Sequence, residues 1–190
     1  MTIARAVVDA VSMTITALCL FCGSKNGVDP AHAALAAEFG AFCAARSLTL
    51  VYGGGTNGLM GVAARAALAG NGIAIGVIPE RLKALEVAQS GLTELIVTAT
   101  LHERKAAMFD RSDAIVVLPG GIGTMDELFE VMTWRNLGLH TKPIFLLGTG
   151  FWGPFLDLLG HLDRSGFAYP GLFALVEPID LAGLAARLDR

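Results

Sequence analysis

Residues 119–127 read PGGIGTMDE and carry the clearest chemistry in the chain. They follow an apolar run and pass straight into a helical pattern. Unpaired N–H groups at a helix start point outward and carry partial positive charge. Glycines let the backbone come close to an anion. Thr124 adds a hydroxyl, and Glu127 sets a carboxylate beside this phosphate cradle. A plainer reading stays open: Thr124 to Glu127 has the T-x-x-E spacing of a capping box, in which Glu127 merely closes the helix start. Asp126 and Glu127 also oppose an anion held too close, so the stretch suits a substrate with phosphate at one end only. No G-x-x-x-x-G-K-[ST] occurs, which weighs against a P-loop NTPase.

Other motifs compete for attention. GGGTNG matches G-x-G-x-x-G at Gly53, Gly55 and Gly58, and Glu80 lies 22 residues beyond Gly58, the arrangement of a dinucleotide site. LHERKAAMFDRSDA (101–114) brings Arg104, Lys105 and Arg111, which form either a solvated helical face or an anion clamp. Ser24, in FCGSKN, lacks the G-x-S-x-G context of a nucleophile and reads as a phosphate or hydroxyl contact. His102, His140, Asp113 and Glu103 have no metal-ligand spacing, so no metal is expected, and His140 reads as a loop residue. Cys19 and Cys22 form C-x-x-C, but Cys19 is embedded in the apolar run TALCLF, which favours buried, structural thiols. Met132 and Trp134 read as packing residues.

These residues need elements to position them. Apolar runs at 15–21, 48–52, 73–78, 94–98, 114–118 and 143–147 read as strands, with a last extended piece at 173–178. Helical patterns fall between them at 30–46, 58–70, 101–111, 125–138 and 152–164, and 180–189 closes the chain. Strands so uniformly apolar are buried on both faces. Their alternation with helices predicts an α/β fold, a Rossmann-like doubly wound parallel sheet with helices on both faces. Residues 13–190 read as one domain, and 1–12 as a disordered extension ahead of Met13. Ligands of such sheets bind beyond the carboxyl ends of the strands. The Gly-rich loops 22–27, 53–58, 119–124 and 148–152 gather at that edge, and a helix entering the next strand starts there too. Arg104 and Glu127, 23 residues apart in sequence, therefore share one rim.

Composition bounds the partners. Hydrophobic residues make up 54% of the 190 and charged residues only 16%, apolar enough to predict a face buried in a homodimer. A net charge of −3 argues against nucleic acid. The uncharged stretch 47–64 is broken by turn signals, so no membrane span is expected. Three cysteines without a secreted-scaffold pattern suit a reducing, cytoplasmic setting.

The motifs together resemble one family. PGGIGTMDE fits the P-G-G-x-G-T-x-x-E signature of the LOG (Lonely guy) family, and HERKAAM (102–108) fits its R-K-x-x-M element. FCGS (21–24), VYGGGTNGLMG (51–61) and TW with LGLHTKP (133–143) are also similar to it. The resemblance implies a Rossmann-type dimer that hydrolyses the N-glycosidic bond of N6-modified AMP, often of AMP itself, to free base and ribose 5-phosphate, with no cofactor. It implies Arg104 and Glu127 as the catalytic pair and substrate contacts at Gly23, Ser24, Gly54, Glu86, Lys105, Met108, Gly120, Gly121, Ile122, Gly123, Thr124 and Thr133. The surroundings of Glu86 match poorly, and Arg135-Asn136 departs from the family where it often has Gln. Two other functions stay open: a non-catalytic nucleotide or cofactor carrier on the same scaffold, and an NAD-dependent enzyme using GGGTNG.

Overall fold

The computed structural model describes residues 14–83 and 89–189, so the expected N-terminal extension and Glu86 lie outside the described residues. Seven strands form one wholly parallel sheet: β1 (Ala17–Phe21), β2 (Thr49–Tyr52), β3 (Ala74–Pro79), β4 (Glu94–Thr98), β5 (Ala114–Val117), β6 (Ile144–Leu147) and β7 (Glu177–Ile179). Their order is β4-β3-β2-β1-β5-β6-β7. The chain winds outward from β1 to β4, then crosses back to β5 on the other side of β1. The topological switch therefore falls between β1 and β5, where consecutive loops part and leave a crevice.

Side-chain alternation along the strands builds two cores. Leu18, Leu20, Leu50 and Tyr52 face α1 (Pro30–Ala45) and α2 (Gly58–Ala69), meeting Phe39, Ala63 and Ala67. Cys19, Phe21, Ile115 and Val117 face α3 (Leu101–Asp110), α4 (Ile122–Asn136) and α5 (Gly153–Arg164), meeting Met108, Leu128 and Leu159. Leu184 of α6 (Leu181–Leu188) returns to the first core. Cys19 and Cys22 thus pack into opposite cores, both as free, buried thiols whose pKa burial pushes well up. This supports the structural reading of C-x-x-C over a redox one.

Two expectations need correction. β4 falls where expected but lies at the sheet edge with one neighbour and is not buried on both faces: Leu95 and Val97 stay exposed. The last extended piece starts at Glu177, not 173, because Gly171 turns the chain in the left-handed region and opens a 3-10 turn over Leu172–Leu175. Among the described residues no helix is long and apolar enough to cross a membrane.

His140 does more than occupy a loop. Its Nδ1 accepts the Lys142 N–H at 3.1 Å, so the neutral ring carries its proton on Nε2 and donates to the Val131 carbonyl at 2.9 Å. Phe109 packs against the ring at 4.9 Å, and Lys142 Nζ donates to the Phe109 carbonyl. One residue thus ties the β6 entrance to α3 and α4. Burial lowers the His140 pKa, the Val131 hydrogen bond opposes this, and the Arg135 and Lys142 charges lower it further. A base with a depressed folded pKa stabilises the fold fully above its unfolded pKa, about 6.5, and loses that contribution as pH falls through the window below. His140→Gln is expected to melt lower than wild type at pH 7.5 and to lose less on going to pH 5.5. Thermal melts at the two pH values check this, and equal losses would contradict it.

Candidate active site

A cleft of about 700 Å³ opens at the switch point, above the carboxyl ends of β1, β2 and β5. One wall is the loop after β1 and another the loop after β5. Gly23 binds the two together, donating its N–H to the Pro119 carbonyl at 3.0 Å.

The glycine stretch enters its helix earlier than the apolar pattern suggests. α4 starts at Ile122, not 125, with Gly121 as N-cap and no side-chain cap. Thr124 then lies in the first turn and Glu127 in the second, so the T-x-x-E of this stretch is not a capping box. A capping arrangement exists instead at the start of α3. Thr100 Oγ1 accepts the Glu103 N–H at 3.1 Å, and the Glu103 carboxylate accepts the Ala99 N–H at 2.9 Å. Gly121, Ile122 and Gly123 are exposed to the cleft, so the first N–H groups of α4 face an open space where an anion would complete them. Thr124 is buried beneath them.

Arg104 is 7% exposed, an uncommon position for a guanidinium. The capping of α3 delivers it to the rim. Nε donates to the Val77 carbonyl at 3.1 Å and one terminal nitrogen to the Gly53 carbonyl at 2.8 Å. Its plane is thereby set by the ends of β2 and β3. Arg104 and Glu127 both line the cleft. Burial, then the Glu127 carboxylate, raise the Cys22 thiol pKa while Arg104 pulls it down, so one atom senses both charges.

Of the residues expected at a substrate, Gly23, Ser24, Gly120, Gly121, Ile122, Gly123 and Thr124 line the cleft with Arg104 and Glu127. Gly54, Lys105, Met108 and Thr133 are not in its lining. The Gly54 carbonyl accepts the Gln89 N–H at 2.9 Å, and Met108 belongs to the core under α3. Thr133 donates its hydroxyl to the Phe129 carbonyl at 2.7 Å. Lys105 lies 3.0 Å from both Asp126 and Glu130, so the charge of Asp126 beside the cradle is compensated. Lys25, Val28, His32 and Phe151 also line the cleft, His32 meeting Phe151 edge-on at 5.7 Å. Lys25 and Phe151 fall in the expected rim loops 22–27 and 148–152, whereas Val28 lies just beyond the first and His32 in the first turn of α1. Nothing in their residue types singled them out.

The dinucleotide reading of GGGTNG finds another explanation. The close approach at Gly53 is to a side chain of the protein itself, because a Cβ there would collide with the Arg104 guanidinium. Gly58 sits against the backbone of Ser24 and Lys25. Trp134 meets Phe109 edge-on at 5.2 Å, as a packing residue.

Sequence similarity to known proteins identifies the family. The family described as "Possible lysine decarboxylase" matches residues 60–187. The chain is 46% identical over 153 residues to a cytokinin riboside 5'-monophosphate phosphoribohydrolase of Rhodococcoides fascians, covering 80% of this chain and 77% of that one. The chain belongs to the LOG family. A second LOG relative, of the same name from Arabidopsis thaliana, is 41% identical over 154 residues, covering 80% of this chain and 72% of that one. The Moco carrier protein of Chlamydomonas reinhardtii is similar in fold alone, with a TM-score of 0.69, 23% identity, and coverage of 91% of this chain and 94% of that one. The LOG match takes in Arg104 and the whole PGGIGTMDE stretch, while the loop after β1 precedes it.

The contact at Gly53 generates a test. Gly53→Ala is expected to cost about 1–3 kcal/mol through overpacking. In an Arg104→Met background, where a flexible side chain can yield, the added cost should fall below about 1 kcal/mol, which is the coupling a double-mutant cycle reads. Urea melts of the four proteins measure it, and strict additivity would show that the collision is absorbed elsewhere.

Proposed function

We propose that the protein hydrolyses the N-glycosidic bond of N6-modified adenosine 5′-monophosphate, and of AMP itself, releasing the free base and ribose 5-phosphate. The observation that carries this reading is the meeting of Arg104, Glu127 and the open start of α4 in one cleft. The names of the LOG relatives specify the substrate class. In this reading the phosphate occupies the N–H groups at Gly121–Thr124. Anchoring there spends binding energy on placing the anomeric carbon. Cleavage passes through a sugar with oxocarbenium character. The Glu127 carboxylate stabilises that charge or orients the attacking water, and Arg104 assists departure of the base or clamps the phosphate. Water supplies hydroxyl to the sugar and a proton to the base, so the reaction balances without a metal or organic cofactor. Gly23 and Ser24 form the opposite wall of the substrate site.

The working unit we propose is a cytoplasmic homodimer. Phe129, Leu137, Leu139, Phe167, Tyr169 and Phe173 are exposed on α4, on the turn after it and on the segment after α5, and a second copy would cover them. Sedimentation should give two chains per particle, and a single chain at micromolar concentration would remove this part of the reading.

Wild-type protein is expected to release base from AMP and from N6-isopentenyl-AMP. Glu127→Gln should lower turnover by on the order of 10²–10⁴-fold while the melting temperature stays near that of wild type. Adenosine, without the phosphate anchor, should be a far poorer substrate. Equal turnover of adenosine and AMP would sink the anchoring argument, and no base from either nucleotide would sink the hydrolase.

A further inference from the structure

Lys105 follows Arg104 on α3, but its ammonium points elsewhere. It lies 3.0 Å from Asp126 and 3.0 Å from Glu130, with only 11% of its side chain exposed. Burial works against its charge, and the hydrogen bonds it donates to Glu130 and Asp126 nonetheless hold its pKa above the usual lysine value. Asp126 and Glu130 are four residues apart on α4, so they share one helical face. Asp126 immediately precedes Glu127 in the chain.

The geometry gives this cluster a task. α3 and α4 flank β5 on the same side of the sheet but are attached to it separately. α3 starts at the rim and runs down to β5, whereas α4 starts at the rim beyond β5. The covalent path between Arg104 and Glu127 therefore descends the whole length of α3 and climbs back through β5. At the far end the two helices meet through Phe109 and Trp134 at 5.2 Å. Toward the rim, Lys105 bridges them.

We propose that Lys105 is a positioning residue: gripped by Asp126 and Glu130, it fixes α3 against α4 and so holds Arg104 and Glu127 at their working separation. This rests on the hydrolase reading above. Lys105 stands outside the lining of the cleft, and in this proposal it acts through its neighbours. A lysine shielded between two carboxylates confers geometry, and removing it leaves both acids uncompensated. Small displacements of a reacting pair cost rate before they cost binding.

Kinetics of base release from AMP test the assignment. Lys105→Met is expected to lower kcat on the order of tenfold or more with KM changed less than about twofold. Lys105→Arg, which keeps the charge and both partners, should recover most of kcat. The double variant Asp126→Asn/Glu130→Gln should reproduce the loss and add little when combined with Lys105→Met. It also carries the test if Lys105→Met fails to fold, since Asp126 is largely exposed. A raised KM with unchanged kcat in Lys105→Met would make Lys105 a substrate contact and overturn the proposal. Normal kinetics in the double variant would overturn it too. Wild-type protein that releases no base would instead overturn the hydrolase reading, and the positioning role with it.

Discussion

At the carboxyl edge of the sheet the guanidinium of Arg104 donates to two backbone carbonyls, that of Gly53 just after β2 and that of Val77 in β3. A buried cation is costly unless its hydrogen bonds are provided, and here backbone provides them in fixed positions. The direction of this side chain is therefore set by the sheet itself. It requires glycine at residue 53, a well-started α3 to deliver the side chain, and a cleft in which the charge is used. The first two requirements are met by the backbone contact at Gly53 and by the Thr100–Glu103 cap.

The acidic side of the cleft is built with equal economy on a different helix. α4 holds Glu127 in its second turn, with Asp126 and Glu130 turned to Lys105, so two of three neighbouring acids are engaged outside the cleft. This resolves a tension in the sequence, where two adjacent carboxylates beside an anion cradle looked unfavourable. Farther along the same helix the Val131 carbonyl receives the His140 ring. Helix and strand entrance are thus secured together on the side away from the rim.

Much of this was legible beforehand. The apolar runs placed β1, β2, β3, β5 and β6 because strands buried on both faces have little freedom in composition. The rule that loops at the carboxyl edge converge then put Arg104 beside Glu127 without any contact being visible. What sequence could not show was direction. Arg104 and Lys105 are adjacent and chemically alike, yet one enters the cleft and the other turns to α4. The start of α4 was misplaced because Ile122, 89% exposed, looks apolar but stands in solvent, and the true cap is a glycine with no side chain to announce it. Val28 and Phe151 were missed for a related reason: their place in the cleft comes from the loop path, not from their chemistry.

That glycine cap has a consequence of its own. A helix whose first N–H groups lack a side-chain partner is less secure at that end than one begun by Ser or Asp. In this protein the bonds that would secure the helix are the same bonds that would hold a phosphate. Ligand and fold then draw on one set of donors, and occupancy shifts the unfolding equilibrium toward the native chain. Cells degrade chains largely through their unfolded fraction. The lifetime of such a protein would rise and fall with the supply of the nucleotide it consumes, a form of regulation that needs no second site.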